Sequence, residues 1–191
     1  MNSRFWAFLL VAAALAASGS ARGAQDTRYY ESLRNPQIRH GVAPEKMVVL
    51  EAKGDPESKG QAVFQRLFSI FFNIQGARLA PPRVRWLTPL TGAREDWIGL
   101  YALPLPGQIA ELPPGSDVAR IEVWPYGDVA EILHVGPYSD EAGTISRLEQ
   151  FIRDQGYEII GRLEEEYVRG PDTVSSPSGY WTVLRYRVKE R

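Results

Sequence analysis

Glu165 is the residue whose surroundings could do chemistry. It lies in Arg162-Leu-Glu-Glu-Glu-Tyr-Val168, within a stretch from Gly161 to Val168 that reads as a strand. Alternate side chains of a strand share a face, so Leu163, Glu165 and Tyr167 point one way and Arg162, Glu164 and Glu166 the other. The second set reads as the solvated face. Glu165 then sits on the apolar face between a leucine and a tyrosine. A carboxylate there loses its hydration and must gain a partner or take up a proton. Two readings follow. In one, Glu165 lies at the floor of a pocket and receives a cation or acts as a base. In the other it is half of a structural ion pair with Arg185 or Arg187 on the next strand.

Aromatic residues are the second feature. Trp86, Trp97, Tyr101, Tyr167 and Trp181 fall on predicted strands. Trp97 and Tyr101 share a face with Gly99 between them, which leaves room for a flat ligand. Rings around a carboxylate favour a cationic or planar guest by cation–π and stacking contacts. Any one of these rings alone is better read as ordinary core, and it is the set around Glu165 that points to a site. Tyr138 either caps such a groove or staples the helix that follows it. His134 shares a strand face with Ala130 and Ile132 and reads as a hydrogen-bonded structural residue; the only other histidine is His40. With no cysteine there is no disulfide, thiolate metal site or thiol nucleophile. Gly-x-Ser-x-Gly, His-Glu-x-x-His, Walker A and EF-hand sequences are missing too, and neither a metal nor a cofactor is expected.

The elements that must position these residues occur twice. Met47–Lys53 reads as a strand, Gly54-Asp55-Pro56 as a breaker, and Ser58–Asn73 as a helix with Val63, Leu67, Ile70, Phe71 and Ile74 on one stripe. Arg83–Leu87 and Asp96–Leu103 complete a β-α-β-β unit. Val129–Val135, the breaker Gly136-Pro137-Tyr138, a helix capped by Asp140 with Ile145, Leu148, Phe151 and Ile152 on its stripe, and strands at Gly161–Val168 and Trp181–Val188 repeat that order. The breaker glycines Gly54 and Gly136 lie 82 residues apart, and the helix-ending Gly76 and Gly156 lie 80 apart. The expected fold is α+β: duplicated β-α-β-β halves, a mostly antiparallel sheet, two main helices and a groove between the halves for a ligand. The first half is 46–103, the connection 104–117 and the second half 118–191, with an extra strand at Val118–Trp124. Residues 25–45 are polar and aperiodic and read as an extended tail.

The run Ala130-Glu-Ile-Leu-His-Val-Gly-Pro-Tyr138 resembles the signature of the GyrI-like family, in which a histidine-bearing strand leads through Gly-Pro-Tyr into a helix. Glu165-Glu166-Tyr167 matches that family's acidic residue two before a tyrosine, and Asp96-Trp-Ile-Gly-Leu-Tyr101 its tryptophan strand. The resemblance covers about residues 46–189. It implies an effector-binding domain for small organic molecules, often aromatic, amphipathic or cationic. Some members hydrolyse strained electrophiles, and the related SOUL fold is associated with haem.

Arg4 followed by the apolar run Phe5–Ala17 and the small residues Ser18–Ala24 reads as a secretory signal over 1–24. Thirteen apolar residues fall short of the roughly 20 that span a bilayer; an uncleaved N-terminal anchor is the alternative. The expected location is periplasmic or secreted, without stable membrane insertion after cleavage. Without Arg4 and Arg22, basic residues number 20 against 23 acidic, which offers nucleic acid no basic field. The expected function is an exported binder of a hydrophobic, aromatic or cationic small molecule, with Glu165, Tyr167, Trp86, Trp97, Tyr101, Trp181 and Tyr138 around it. A hydrolase in the same pocket, with Glu165 activating water and Tyr167 donating a proton, is the alternative, and haem or tetrapyrrole binding a second.

Overall fold

The computed structural model describes residues 27–191; the segment 1–24 expected to be a signal lies outside them. Nine strands among the described residues form one antiparallel system with two main helices. In chain order these are β1 (Gln37–Val42), β2 (Glu45–Lys53), α1 (Pro56–Phe71), β3 (Arg83–Trp86), β4 (Ile98–Leu105), β5 (Ala119–Trp124), β6 (Gly127–Val135), α2 (Glu141–Asp154), β7 (Tyr157–Ile159), β8 (Glu164–Arg169) and β9 (Trp181–Glu190). The sheet order is β1-β6-β9-β8-β3-β4-β2-β5, with β7 added beside β9. It is symmetric about the β3–β8 pair: β3-β4-β2 of the first half mirrors β8-β9-β6 of the second.

The repeat reaches further upstream than the glycine spacing suggests. Strand β1 pairs with β6 of the other half, as β5 pairs with β2. Residues 37 and 119 open these two strands, 82 apart, the same offset that separates the starts of β2 and β6. The segment read as a polar tail over 25–45 is therefore, from residue 27 onward, built into the fold: residues 27–32 are helical and Leu33 is fully buried. Two residues link β1 to β2, and two link β5 to β6. At about 3.5 Å per residue, such links oblige the two ends of the sheet order to lie close together, so the sheet is strongly curled.

Local sequence explains the helices. Pro56 fits the first turn of α1, where its missing N–H is unneeded, and the Asp55 carboxylate accepts from Glu57 N at 3.0 Å. The helix thus starts two residues before the expected Ser58. Asp140 precedes α2 but makes no capping bond; its carboxylate instead accepts from Ser139 Oγ at 2.9 Å. Leu67, Ile70 and Phe71 of α1 and Leu148 and Ile152 of α2 bury their stripes on one face of the sheet, against Val48, Val84, Ile132 and Leu184.

The other face is not solvated, contrary to the alternation reading. Glu164 and Glu166 are 2% and 4% exposed, and Glu131 is fully buried. Antiparallel register sets Arg83 opposite Glu166 and Arg85 opposite Glu164, which is in turn opposite Arg185 on β9. Arg185 bonds Glu131, Glu164 (2.7 Å) and Glu166 (3.2 Å), while Arg83 meets Glu166 at 3.0 Å and Arg85 meets Glu164 at 2.7 Å. Burial alone would raise both carboxyls, but Arg185 and Arg83 outweigh it and hold Glu164 and Glu166 below the ordinary range. Tyr29 and Tyr30, from the supposed tail, donate hydroxyls to Glu131 and Glu166 and help close this face.

Candidate functional site

Glu165 sits where the halves meet, directly opposite Val84 across β3–β8 and opposite Leu184 of β9. It is 4% exposed and lies on the helix-covered face, as alternation from Leu163 requires. Trp86 Nε1 donates to its Oε1 at 2.7 Å, and the Tyr167 hydroxyl donates to Oε2 at 2.5 Å. Neither of the arginines expected as a structural partner reaches it. Arg185 and Arg187 stand at odd positions of β9, on the opposite face, and among the described residues no ion pair involves Glu165. Burial raises its pKa, and the bonds from Tyr167 and Trp86 only moderate the rise.

A second acid, not anticipated, joins it. Glu141 opens α2 and is buried beside Glu165 and Thr182, with its Oε1 and the Thr182 hydroxyl both lacking a hydrogen-bond partner among the described residues. Burial first, and the charge of Glu165 next, push the Glu141 carboxyl up to about 10. A helix N-terminus favours an anion by at most ~2 kcal/mol; burial beside a like charge outweighs that by several kcal/mol, so Glu141 keeps its proton at neutral pH. Burial and mutual repulsion keep the two acids from both being ionised, and a protonated Glu141 is placed to donate to Glu165. The sequence held a signal for this: Glu141 lies four, seven and eleven residues before Ile145, Leu148 and Ile152, on the same helical stripe.

Rings enclose the pair. Trp86 and Tyr101 are buried at its floor. Trp97 packs edge-on against Trp86 at 5.6 Å, and Tyr138 against Tyr167 at 5.4 Å. Phe64 of α1, also missed from sequence, meets Tyr101 at 5.0 Å and Tyr167 at 5.8 Å. Phe64, Trp97, Tyr138 and Tyr167 are half-exposed and form a rim. The space expected beside Gly99 is occupied: a Cβ there would lie 3.0 Å from Val84, 3.1 Å from Tyr101 and 3.2 Å from Trp86. The glycine lets these side chains approach and leaves no free slot.

One sequence candidate falls elsewhere, and His134 has the hydrogen-bonded structural place expected of it. Trp181 begins β9 on the opposite face, packed with Leu33, Leu133 and Val183 and covered by the Arg169 guanidinium at 3.6 Å. It lies away from Glu165 because β9 presents Thr182 and Leu184, not Trp181, to the helix side. His134 bonds Thr144 Oγ1 through Nδ1 (2.9 Å) and the Pro137 carbonyl through Nε2 (3.0 Å). A carbonyl only accepts, so Nε2 carries the hydrogen and Nδ1 accepts from Thr144. Both nitrogens are engaged in holding the strand-to-helix turn, which gives a haem-ligand role no footing. Among the described residues no group of acidic or histidine side chains has the arrangement of a metal site.

No protein-family model matches the sequence, and no curated protein matches it. Solved structures do match. A hydrolase from Listeria innocua is 18% identical, with a TM-score of 0.70 over 87% of this chain and 98% of that one. The EcmrR C-terminal domain is 12% identical, with a TM-score of 0.68 over 82% of this chain and 98% of that one. SAV2435 bound to tetraphenylphosphonium is 14% identical, with a TM-score of 0.50 over 81% of this chain and 94% of that one. At such identities the likeness is one of fold, and that fold is the one of the GyrI-like effector-binding domains.

Proposed function

We propose that this protein binds an organic cation with flat aromatic or apolar groups, held at Glu165. One observation carries the reading: a carboxyl group buried among Trp86, Tyr101 and Tyr167 has hydrogen-bond donors but, among the described residues, no cationic partner. A guest with a delocalised positive charge would supply the missing counter-charge and lay its rings against the aromatic walls, each such contact adding ~0.5–2 kcal/mol. The rings pack against one another over Glu165, so the half-exposed Phe64, Trp97 and Tyr138 must turn outward to admit a guest. The tetraphenylphosphonium held by SAV2435 belongs to the same ligand class. A thermal-shift series tests this: aromatic phosphonium and quaternary ammonium compounds should raise the melting temperature, while neutral and anionic compounds of the same shape should not. Equal shifts for all three would reject it.

A second reading rests on the Glu141–Glu165 pair itself. A protonated and an ionised carboxyl side by side can serve as general acid and base, and one similar structure is described as a hydrolase. Turnover of a strained electrophile that disappears in Glu165→Gln would favour it over binding alone. We further propose export, on the strength of the apolar run Phe5–Ala17 and the small residues after it. Mass spectrometry of the protein from its host should find a start between residues 20 and 25; a retained Met1 in the membrane fraction would favour a tether.

A further inference from the structure

We propose that a cleft on the face of the sheet opposite Glu165 is a second binding site, for a small organic anion with an apolar body. The cleft has a volume of about 470 Å³ and lies where the link from β7 to β8 passes over β9. Its wall carries Arg85, Arg162, Arg185 and Arg187 against a single acid, Glu164.

These guanidiniums are not equivalent. Arg185 spends all three of its nitrogens on Glu131, Glu164 and Glu166, and Arg85 is paired through Nε and Nη2 with Glu164. Arg162 is exposed and, among the described residues, makes no hydrogen bond or ion pair. Arg187 uses only its Nε, donating to the Tyr126 carbonyl at 3.1 Å, which leaves its terminal nitrogens for a ligand. Glu164 offers no attraction to a competing cation, because it already accepts from Arg85, Arg185 and the Tyr126 hydroxyl. The cleft therefore has surplus positive charge at its mouth, set over an interior that is neutralised.

Arg187 is also held in place. A Cβ at Gly161 would lie 2.8 Å from Arg187 Cβ and 3.3 Å from its Cγ, so the chain crosses the arginine stem in contact with it. A guanidinium whose stem is fixed loses less entropy when it grips a carboxylate or phosphate with two parallel bonds. Ile159 and Ile160 stand beside it, 38% and 44% exposed, and Arg85 lies flat on Trp124 at 3.9 Å. Exposed isoleucines next to an unpartnered Arg162 and the free terminal nitrogens of Arg187 match a ligand that is apolar at one end and anionic at the other. A single cleft in a chain of net charge −1 does not suit a polyanion, which needs a continuous basic track.

Calorimetric titration with 2-naphthoate, alongside inorganic phosphate and octanoate, tests the proposal. One saturable site is expected for 2-naphthoate and octanoate, at least tenfold tighter than for phosphate. Arg162→Gln and Arg187→Gln should each weaken 2-naphthoate tenfold or more, while Glu165→Gln leaves it within twofold. Arg162 is exposed, so its variant keeps the fold even if that of Arg187 does not. Absence of binding, phosphate binding as tight as naphthoate, or loss on Glu165→Gln but not on Arg162→Gln would overturn the site.

Discussion

Replacing Glu141 with glutamine should make the protein more stable at neutral pH, although it removes a buried acid beside Glu165. The Glu141 carboxyl is raised from 4.5 to about 10, by burial and then by Glu165. Between those values the folded protein holds a proton that the unfolded chain has released, so stability falls as pH rises. The contribution of the protonated acid is complete below about pH 4.5 and disappears as pH climbs through its folded value. One proton corresponds to about 1.4 kcal/mol per pH unit, so about 3 kcal/mol is lost between pH 4.5 and 7. Glutamine needs no proton and its amide can donate to Glu165 in place of the acid. Allowing about 1 kcal/mol for a weaker bond, Glu141→Gln should gain about 2 kcal/mol at pH 7 and lose about 1 at pH 4.5. Urea unfolding of both proteins at pH 5, 6, 7 and 8 measures this directly. Glu164 and Glu166, held below the ordinary range, act only in more acid solution, and burial raises Glu165 with or without Glu141, so the difference between the two slopes reports Glu141. Identical pH slopes for wild type and variant would refute the reasoning, and with it the assignment of a proton to the pair.

Other outcomes follow from the opposite face. Arg185→Met leaves Glu131, Glu164 and Glu166 buried without their shared cation, and should cost about 3–5 kcal/mol in chemical denaturation. Leu33→Ala should cost about 2–5 kcal/mol because Leu33 is fully buried; a negligible loss would return the 25–45 segment to the status of a tail. Glu164 and Glu166 contribute stability that is present above about pH 4.5 and lost as pH falls through their lowered folded values, so acid unfolding should steepen there.

The duplicated plan was legible because both copies keep one helix stripe and one breaker glycine at a near-constant spacing. Applied to residues 37–42, the same 82-residue offset would have picked out β1, but a polar edge strand lacks the alternation that marks a half-buried one. Glu165 was legible from its apolar neighbours Leu163 and Tyr167. Burial of Glu164 and Glu166 was not, since charge normally signals solvent. The clue lay in a different stretch, Arg83-Val-Arg-Trp86, whose alternating arginines match those glutamates only once β3 is known to pair with β8. Trp181 was misplaced for a related reason. Tyr167 and Arg169 sit either side of an irregularity in the β8–β9 register, and a ring at the end of a strand tells nothing of its face until that register is fixed.

The central claim is that Glu165 supplies the charge that recognises a cation. Titration calorimetry of wild type and Glu165→Gln with tetraphenylphosphonium and with neutral triphenylphosphine oxide tests it most directly. Wild type should prefer the cation at least tenfold, and the variant should lose that preference while holding the neutral compound about as well as before. A variant that retains the preference, or that loses both ligands equally, would contradict the account.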